Sequence, residues 1–224
     1  MSKETQWKGY YDPYFKKAQE RSVNPLEVLN QEWFDGQKTA EEKLLPYISS
    51  DSIVLEIACG IGRVSKYAAA NCKTLFCTDI LEEALNETRS NLKDFNNVVY
   101  KKINGYNLSL FQENYFDCVY SFTTFFHFDF ELVINYFSEI KRVLKPGGIG
   151  IIEFKRWESK ADIVELLDKI KEEDGVEKYE RELDKWRYVS LEMLKVVCDY
   201  FNFKIIDNDI TQFTFKSISD WNFP

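Results

Sequence analysis

With 224 residues, 45% of them apolar and 29% charged, the chain is long enough for one domain with a full core and some appended structure, and too short for two large domains. A formal charge of -8, without any long lysine or arginine run, argues against non-specific attraction to a nucleic-acid backbone, and no apolar stretch approaches membrane-spanning length. Five cysteines with no Cys-x-x-Cys pair, and a single histidine, His127, exclude the common zinc layouts and a disulfide framework. They predict no metal site and reduced, packed thiols in a cytoplasmic protein, and the start, MSKETQWKGYYD, lacks the apolar core of a secretory signal.

Residues 1–48 read as an aromatic, helical cap, and residues 49–224 as the main domain. Within the cap, Trp7, Tyr10, Tyr11, Tyr14, Phe15, Trp33 and Phe34 are interleaved with charges. Asn24-Pro25 predicts a helix start and Gly36 its stop, while Thr39-Ala40-Glu41-Glu42 matches a capping box that would open a second helix. Helices placed before the first strand either cover the sheet or help to close a site at its carboxyl edge.

Ile53 to Ile57 is a short apolar run that reads as a buried strand, with Glu56 near its end. Ala58, Cys59, Gly60, Ile61 and Gly62 then allow a tight turn, and the pattern turns helical from Gly62 to Ala70. Strand, glycine turn and helix start together form the place where open α/β sheets bind ligands. A lone Gly-x-Gly suits a nicotinamide or flavin protein equally, but Ser65 stands where the dinucleotide fingerprint wants a third glycine.

A second strand, Lys73 to Thr78, ends at Asp79, seventeen positions after Gly62. That is near the spacing at which an acid accepts both ribose hydroxyls of an adenosine, since a carboxylate offers two acceptors to two adjacent donors. The alternative for Asp79 is to cap the helix from Glu82 to Leu92. Val98 to Ile103 is the third strand, followed by Asn104-Gly105, which also suits a plain turn. The fourth strand is Phe116 to Ser121. A helix from Glu131 to Leu144 places Leu132, Ile134, Phe137, Ile140 and Val143 in the core. Lys145-Pro146-Gly147-Gly148 ends that helix and leads into a fifth strand, Ile149 to Phe154. A charged insertion near 155–187 follows, helical from Ala161 to Glu173 and broken at Gly175. Ser190 caps a helix to Phe201, and Phe203 to Ile206 and Gln212 to Lys216 are closing strands.

Three of these segments stand in a recognisable order. Glu56 to Gly62 (EIACGIG) resembles the acidic, glycine-rich motif of class I S-adenosylmethionine-dependent methyltransferases, with Ala58 at that pattern's first glycine. Phe116 to Ser121 (FDCVYS) resembles the family's FD-x-V-x-S, and Arg142 to Gly148 its R-V-L-K-P-G-G turn. The resemblance covers about Ile53 to Phe154 and answers the dehydrogenase reading, because K-P-G-G before the fifth strand has no role in a nicotinamide fingerprint. It implies an α/β, Rossmann-like class I methyltransferase fold: a seven-stranded, mostly parallel sheet with helices on both faces, its last strand antiparallel between the fifth and sixth.

The same resemblance implies S-adenosylmethionine as methyl donor and S-adenosylhomocysteine as product. Glu56 would hold the cradle loop and the methionyl amino group, and Gly60 and Gly62 the methionine moiety, with Ala58 and Arg63 in the same cradle. Asp79, with Ile80 beside it, would take the ribose, Asn104 and Gly105 the adenine, and Ser121 and Phe122 the methionyl end and the substrate.

Methyl transfer is an in-line displacement on a sulfonium and needs alignment and exclusion of water before anything else, so a base is optional. His127, in the aromatic loop after the fourth strand, is the candidate base, with Tyr10, Tyr11 and Tyr14 as weaker ones. Ser121-Phe122-Thr123-Thr124 replaces the Asn-Pro-Pro-Tyr of amide- and adenine-methylating members, and no proline precedes a cysteine. With the acidic balance, this predicts O- or N-methylation of a small molecule in a partly apolar pocket. The alternatives are methylation of protein or RNA, and a cofactor-binding module that does not turn over.

Overall fold

The computed structural model describes residues 3–157, 159–172, 186–207 and 212–218. Four helices come first: α1 (Lys3–Trp7), α2 (Asp12–Arg21), α3 (Pro25–Glu32) and α4 (Gly36–Lys43). The main sequence follows as β1 (Ile53–Ile57), α5 (Ser65–Ala70), β2 (Thr74–Asp79), α6 (Glu82–Asn91), β3 (Val98–Lys102), β4 (Phe116–Ser121), α7 (Phe130–Val143) and β5 (Leu144–Glu153). Then come β6 (Lys155–Arg156), α8 (Lys160–Glu172), β7 (Tyr188–Val189), α9 (Leu191–Tyr200), β8 (Phe203–Asp207) and β9 (Gln212–Ser217).

Seven strands form one sheet in the order β3-β2-β1-β4-β5-β9-β8. All pairs from β3 to β5 are parallel, and β9 runs antiparallel to both β5 and β8. The alternation of side chains along each strand feeds two cores. Leu55, Ile57, Val119 and Ile152 face α7 and α9, where they meet Phe137, Ile140 and Leu194. Val54, Leu75, Cys118 and Ile151 face the other way, onto Ala40, Ala68 and Leu85 of α4, α5 and α6 and onto Leu44, which follows α4. All five cysteines are free and buried. Among the described residues no helix is long and apolar enough to cross a membrane.

Several boundaries differ from the sequence reading, each for a local reason. α3 starts as expected, with the Asn24 side chain accepting the Leu26 N–H at 2.8 Å. Gly36, however, opens a helix instead of closing one. The Asp35 carboxylate accepts the Gln37 and Lys38 N–H groups at 2.8 and 3.1 Å, so α4 begins a turn before the capping box at Thr39, whose hydroxyl donates to Asp35 O. α5 begins at Ser65, not Gly62, because the chain stays in turns from 60 to 64. Lys145 to Gly148 lie within β5, not in a turn after the helix. Phe116 pairs with Leu144 and Cys118 with Ile149, which leaves these residues as a bulge pinned by a 2.7 Å ion pair between Lys145 and Asp117.

The buried stripe of α7 is Val133, Tyr136, Phe137, Ile140 and Val143, whereas Ile134 is 39% exposed and Leu132 only partly buried. The small parallel pair of β6 and β7 has no counterpart in the sequence reading. The break expected at Gly175 and the rest of residues 173–185 lie outside the described residues.

Candidate functional site

The turn after β1 is built from left-handed residues: Ala58 at φ 59°, Gly60 at φ 57° and Gly62 at φ 88°. At Ala58 the β-carbon is carried in a conformation that costs an L-residue about 1–2 kcal/mol. The turn is pinned from three sides. Cys59 N–H donates to Thr78 O at 2.8 Å, Thr88 Oγ1 donates to Gly60 O at 2.8 Å, and Asn91 Nδ2 donates to Ile61 O at 2.9 Å. Thr88 and Asn91, both on α6, were missed by the sequence reading, since no spacing rule ties a helix three elements on to this loop. Ser65, in the place of the third dinucleotide glycine, donates its hydroxyl to Glu56 Oε2.

Asp79 closes the arrangement. Its Oδ2 accepts the Gly60 N–H at 3.0 Å and its Oδ1 the Leu81 N–H at 2.9 Å, so the acid of β2 and the bend after β1 share one rim of the sheet. Glu56 and Asp79 are each 5% exposed. Burial pushes Glu56 up from 4.5 to about 7, with the hydrogen bond from Ser65 opposing it. Burial likewise raises Asp79 from 3.8 to about 6, against backbone N–H groups of Leu81 and Gly60 that favour the anion. No ion pair reaches either group among the described residues. Two buried acids without a cation, beside a cradle of backbone N–H groups, fit a ligand that brings its own positive charge.

Over this rim lies a cavity with about 1180 Å³ of atom-free space, part of it open to solvent. Glu56, Ala58, Gly60, Arg63, Asp79, Ile80, Gly105, Phe122 and His127 all line it. Three other candidates do not. Gly62 packs under α6, where an added methyl group would stand 3.0 Å from Thr88 and Leu92 side-chain carbons. Ser121 is fully buried and donates to Ile57 O at 2.8 Å, tying the ends of β4 and β1 together. Asn104 curls back on its own turn, its oxygen accepting the Tyr106 and Asn107 N–H groups at 2.8 and 3.0 Å.

The amino-terminal helices roof the cavity. Trp7, Tyr10, Tyr11, Trp33 and Phe34 face into it. Tyr11 reaches the cradle itself: a methyl group added at Gly60 would stand 2.5 Å from Tyr11 Oη. Trp33 Nε1 donates to Tyr14 Oη at 2.9 Å, and Lys102 fastens α1 to β3 through a 2.7 Å ion pair with Glu4. His127 is 8% exposed, and its ring meets Trp7 edge-on at 5.3 Å. Its loop is held by Arg187, which donates to His127 O at 2.7 Å and to Asp129 at 2.8 Å, and by Glu153, which accepts the Thr123 N–H at 2.7 Å. Arg187 and Glu153 were also missed by the sequence reading. Among the described residues no group of three or more His, Cys, Asp or Glu side chains is placed to hold a metal ion.

Residues 55–152 match the family model of a methyltransferase domain. No protein of curated function matches the chain in sequence. Solved structures similar in fold include a putative methyltransferase from Bacillus halodurans, 20% identical with a TM-score of 0.60, covering 77% of this chain and 70% of that one. An S-adenosylmethionine-dependent methyltransferase from Methanosarcina mazei is 19% identical with a TM-score of 0.57, over 78% of this chain and 96% of that one. The complex of the Haloferax volcanii Trm112 methyltransferase activator with a putative methyltransferase gives 14% identity and a TM-score of 0.64, over 92% and 96% of the two chains. An acid-and-glycine cradle at the carboxyl edge of a 3-2-1-4-5 parallel sheet, closed by an antiparallel hairpin, is the arrangement of the class I methyltransferase fold, and a methyltransferase domain matched over residues 55–152 runs through it.

Proposed function

We propose that the chain methylates a small-molecule acceptor at oxygen or nitrogen, with S-adenosylhomocysteine as the second product. The observation that most supports this reading is the 3.0 Å hydrogen bond from Gly60 N–H to Asp79 Oδ2 beneath an aromatic roof. It supports the reading because a covered cavity over these two residues suits a compact acceptor better than a folded protein or an RNA helix.

S-adenosylmethionine supplies, when bound, a methyl group on a sulfonium that leaves as a neutral thioether. Glu56, once its proton has passed to solvent, would pair with the methionyl ammonium. Ala58, Gly60 and Gly62 shape the backbone that cradles the methionyl chain, while Arg63, next along the chain, is turned onto Phe34 instead. Asp79 accepts the ribose hydroxyls with the oxygen lone pairs its backbone partners leave open, and Ile80 and Gly105 pack along the adenosine. Asn104 acts on the adenine side by shaping the turn that carries Gly105. Ser121 holds β1 and β4 in register, so that Phe122 and the loop after it face the reacting end. The cap, residues 1–48, excludes water through Trp7, Tyr10 and Tyr11. His127 is the base for an acceptor that must lose a proton.

Isothermal titration with S-adenosylhomocysteine tests the donor side: micromolar binding that Asp79→Ala weakens about tenfold or more is expected, and no binding by folded protein would end the reading. Labelled-methyl transfer to metabolite, peptide and RNA pools tests the acceptor side. Transfer confined to the metabolite pool, without an added activator protein, supports a small acceptor. Labelled peptide or RNA would replace it, and cofactor binding without transfer to any pool would favour a binding module.

A further inference from the structure

The cavity lining carries charges of both signs, Arg63 besides Glu56 and Asp79. The Arg63 guanidinium lies 3.6 Å over the ring of Phe34, and its Nη1 is buried with no hydrogen-bond partner. No ion pair holds it among the described residues. Burial pulls it down from its ordinary value to about 10, and the groups that act most on it are Tyr11, Glu153, Tyr10 and Tyr14, from the roof and β5. Glu56 and Asp79 are not among them. Glu153 does not neutralise it at close range, because its Oε2 takes the Thr123 N–H at 2.7 Å and its Oε1 faces Lys43 Nζ at 4.0 Å.

We propose that the part of the cavity at Arg63 is the acceptor subsite, and that the acceptor is a small, flat, largely apolar carboxylic acid whose carboxylate pairs with the Arg63 guanidinium. A half-buried guanidinium whose Nη1 has no partner, and one face of which lies on an aromatic ring, can receive a carboxylate in its plane. Trp7, Trp33 and Phe34 offer faces to an apolar body, while Glu56 and Asp79 in the same lining repel an anion. The carboxylate anchors the acceptor and leaves a different atom to meet the methyl group. The inference rests on the methyl-transfer reading. A second source of the same anion chemistry is the methionyl carboxylate of the cofactor, and the experiment separates the two.

In protein saturated with S-adenosylhomocysteine, benzoate, phenylacetate and hexanoate are titrated calorimetrically against their amides, for wild type, Arg63→Met and Arg63→Lys. Arg63→Met keeps an apolar stack on Phe34, and Arg63→Lys keeps the charge without the fork. All three proteins are first checked for equal melting temperature. Separately, each is titrated with S-adenosylhomocysteine and with 5′-methylthioadenosine, an adenosyl thioether without a carboxylate. We expect at least one acid to bind wild type about tenfold or more tighter than its amide. Arg63→Met should abolish that preference and Arg63→Lys should keep part of it, with both adenosyl ligands binding all three proteins alike. Equal binding of acids and amides to wild type, or no binding of either, overturns the proposal. So does a loss of S-adenosylhomocysteine affinity in Arg63→Met that methylthioadenosine does not share, which would give Arg63 to the methionyl carboxylate. Failure of wild type to bind S-adenosylhomocysteine at all would remove the methyl-transfer reading instead.

Discussion

Cofactor affinity should rise steeply with pH, and Glu56 sets the range. Its folded-state value of about 7 lies above its ordinary 4.5. The ligand-free fold therefore favours the proton on this carboxyl: that contribution to stability is fully present below 4.5 and is lost as the pH rises through about 7. The penalty for ionising it in place is on the order of 3 kcal/mol. A ligand that brings an ammonium to Glu56 needs the anion and must displace the proton first. Free protein has about 3% of the anion at pH 5.5 and about 90% at pH 8, so affinity should climb about thirtyfold over that range. Asp79, raised to about 6, steepens the acid end of the curve. Titration of S-adenosylhomocysteine at both pH values, with buffers of different ionisation enthalpy at pH 6, reads the affinity and the protons released, about one per ligand. Glu56→Gln should flatten most of the climb. An affinity that is level across the range, or an equal climb in Glu56→Gln, would refute the argument.

Three further outcomes follow from backbone conformation and packing. Ala58→Gly removes a β-carbon from a left-handed residue at φ 59° and should stabilise the protein by roughly 1 kcal/mol, seen as a rise of about 2–4 °C in melting temperature. Gly60→Ala should lower the melting temperature by placing a methyl group 2.5 Å from Tyr11 Oη, and adding Tyr11→Phe, which deletes that oxygen, should restore part of the loss in a double-mutant cycle. Gly150→Ala would drive a methyl group into the Phe215 ring between β5 and β9, and urea denaturation should show about 1–3 kcal/mol of lost stability.

The sheet was legible because its central strands are short apolar runs with both faces buried, so β1, β2 and β4 stand within a residue of where periodicity puts them. Errors gathered where two local signals compete. Asp35 and Thr39 both look like caps, and the earlier one wins because its carboxylate reaches two N–H groups while the threonine hydroxyl is satisfied inside the helix. Lys145 to Gly148 carry every mark of a turn, yet pairing with β4 on both sides draws them into the strand as a bulge. On α7, Ile134 is as apolar as its neighbours and is left 39% exposed, because Val133 and Tyr136 complete the stripe that meets the sheet.

The site divides along a different line. That Glu56, Gly60 and Asp79 share one edge could be read from the sequence, because Glu56 and Asp79 lie at the ends of parallel strands and Gly60 in the turn after the first of them. Asn104 could not, since an exposed asparagine chooses between a ligand and its own turn by a difference smaller than any pattern reveals, and here the turn holds its oxygen. Nor could Tyr11 or Thr88, whose contacts with Gly60 depend on how separate helices dock on the finished sheet. Docking also gives the cavity its mixed lining. The acids arrive on strands and the aromatic wall on the preceding helices, and the stack of Arg63 on Phe34 joins the two. Removing Phe34 should therefore disturb Arg63 while leaving the Gly60–Asp79 hydrogen bond, which is made wholly within the sheet and its first turn, in place, so that Phe34→Ala weakens carboxylate binding and keeps S-adenosylhomocysteine affinity in a calorimetric titration.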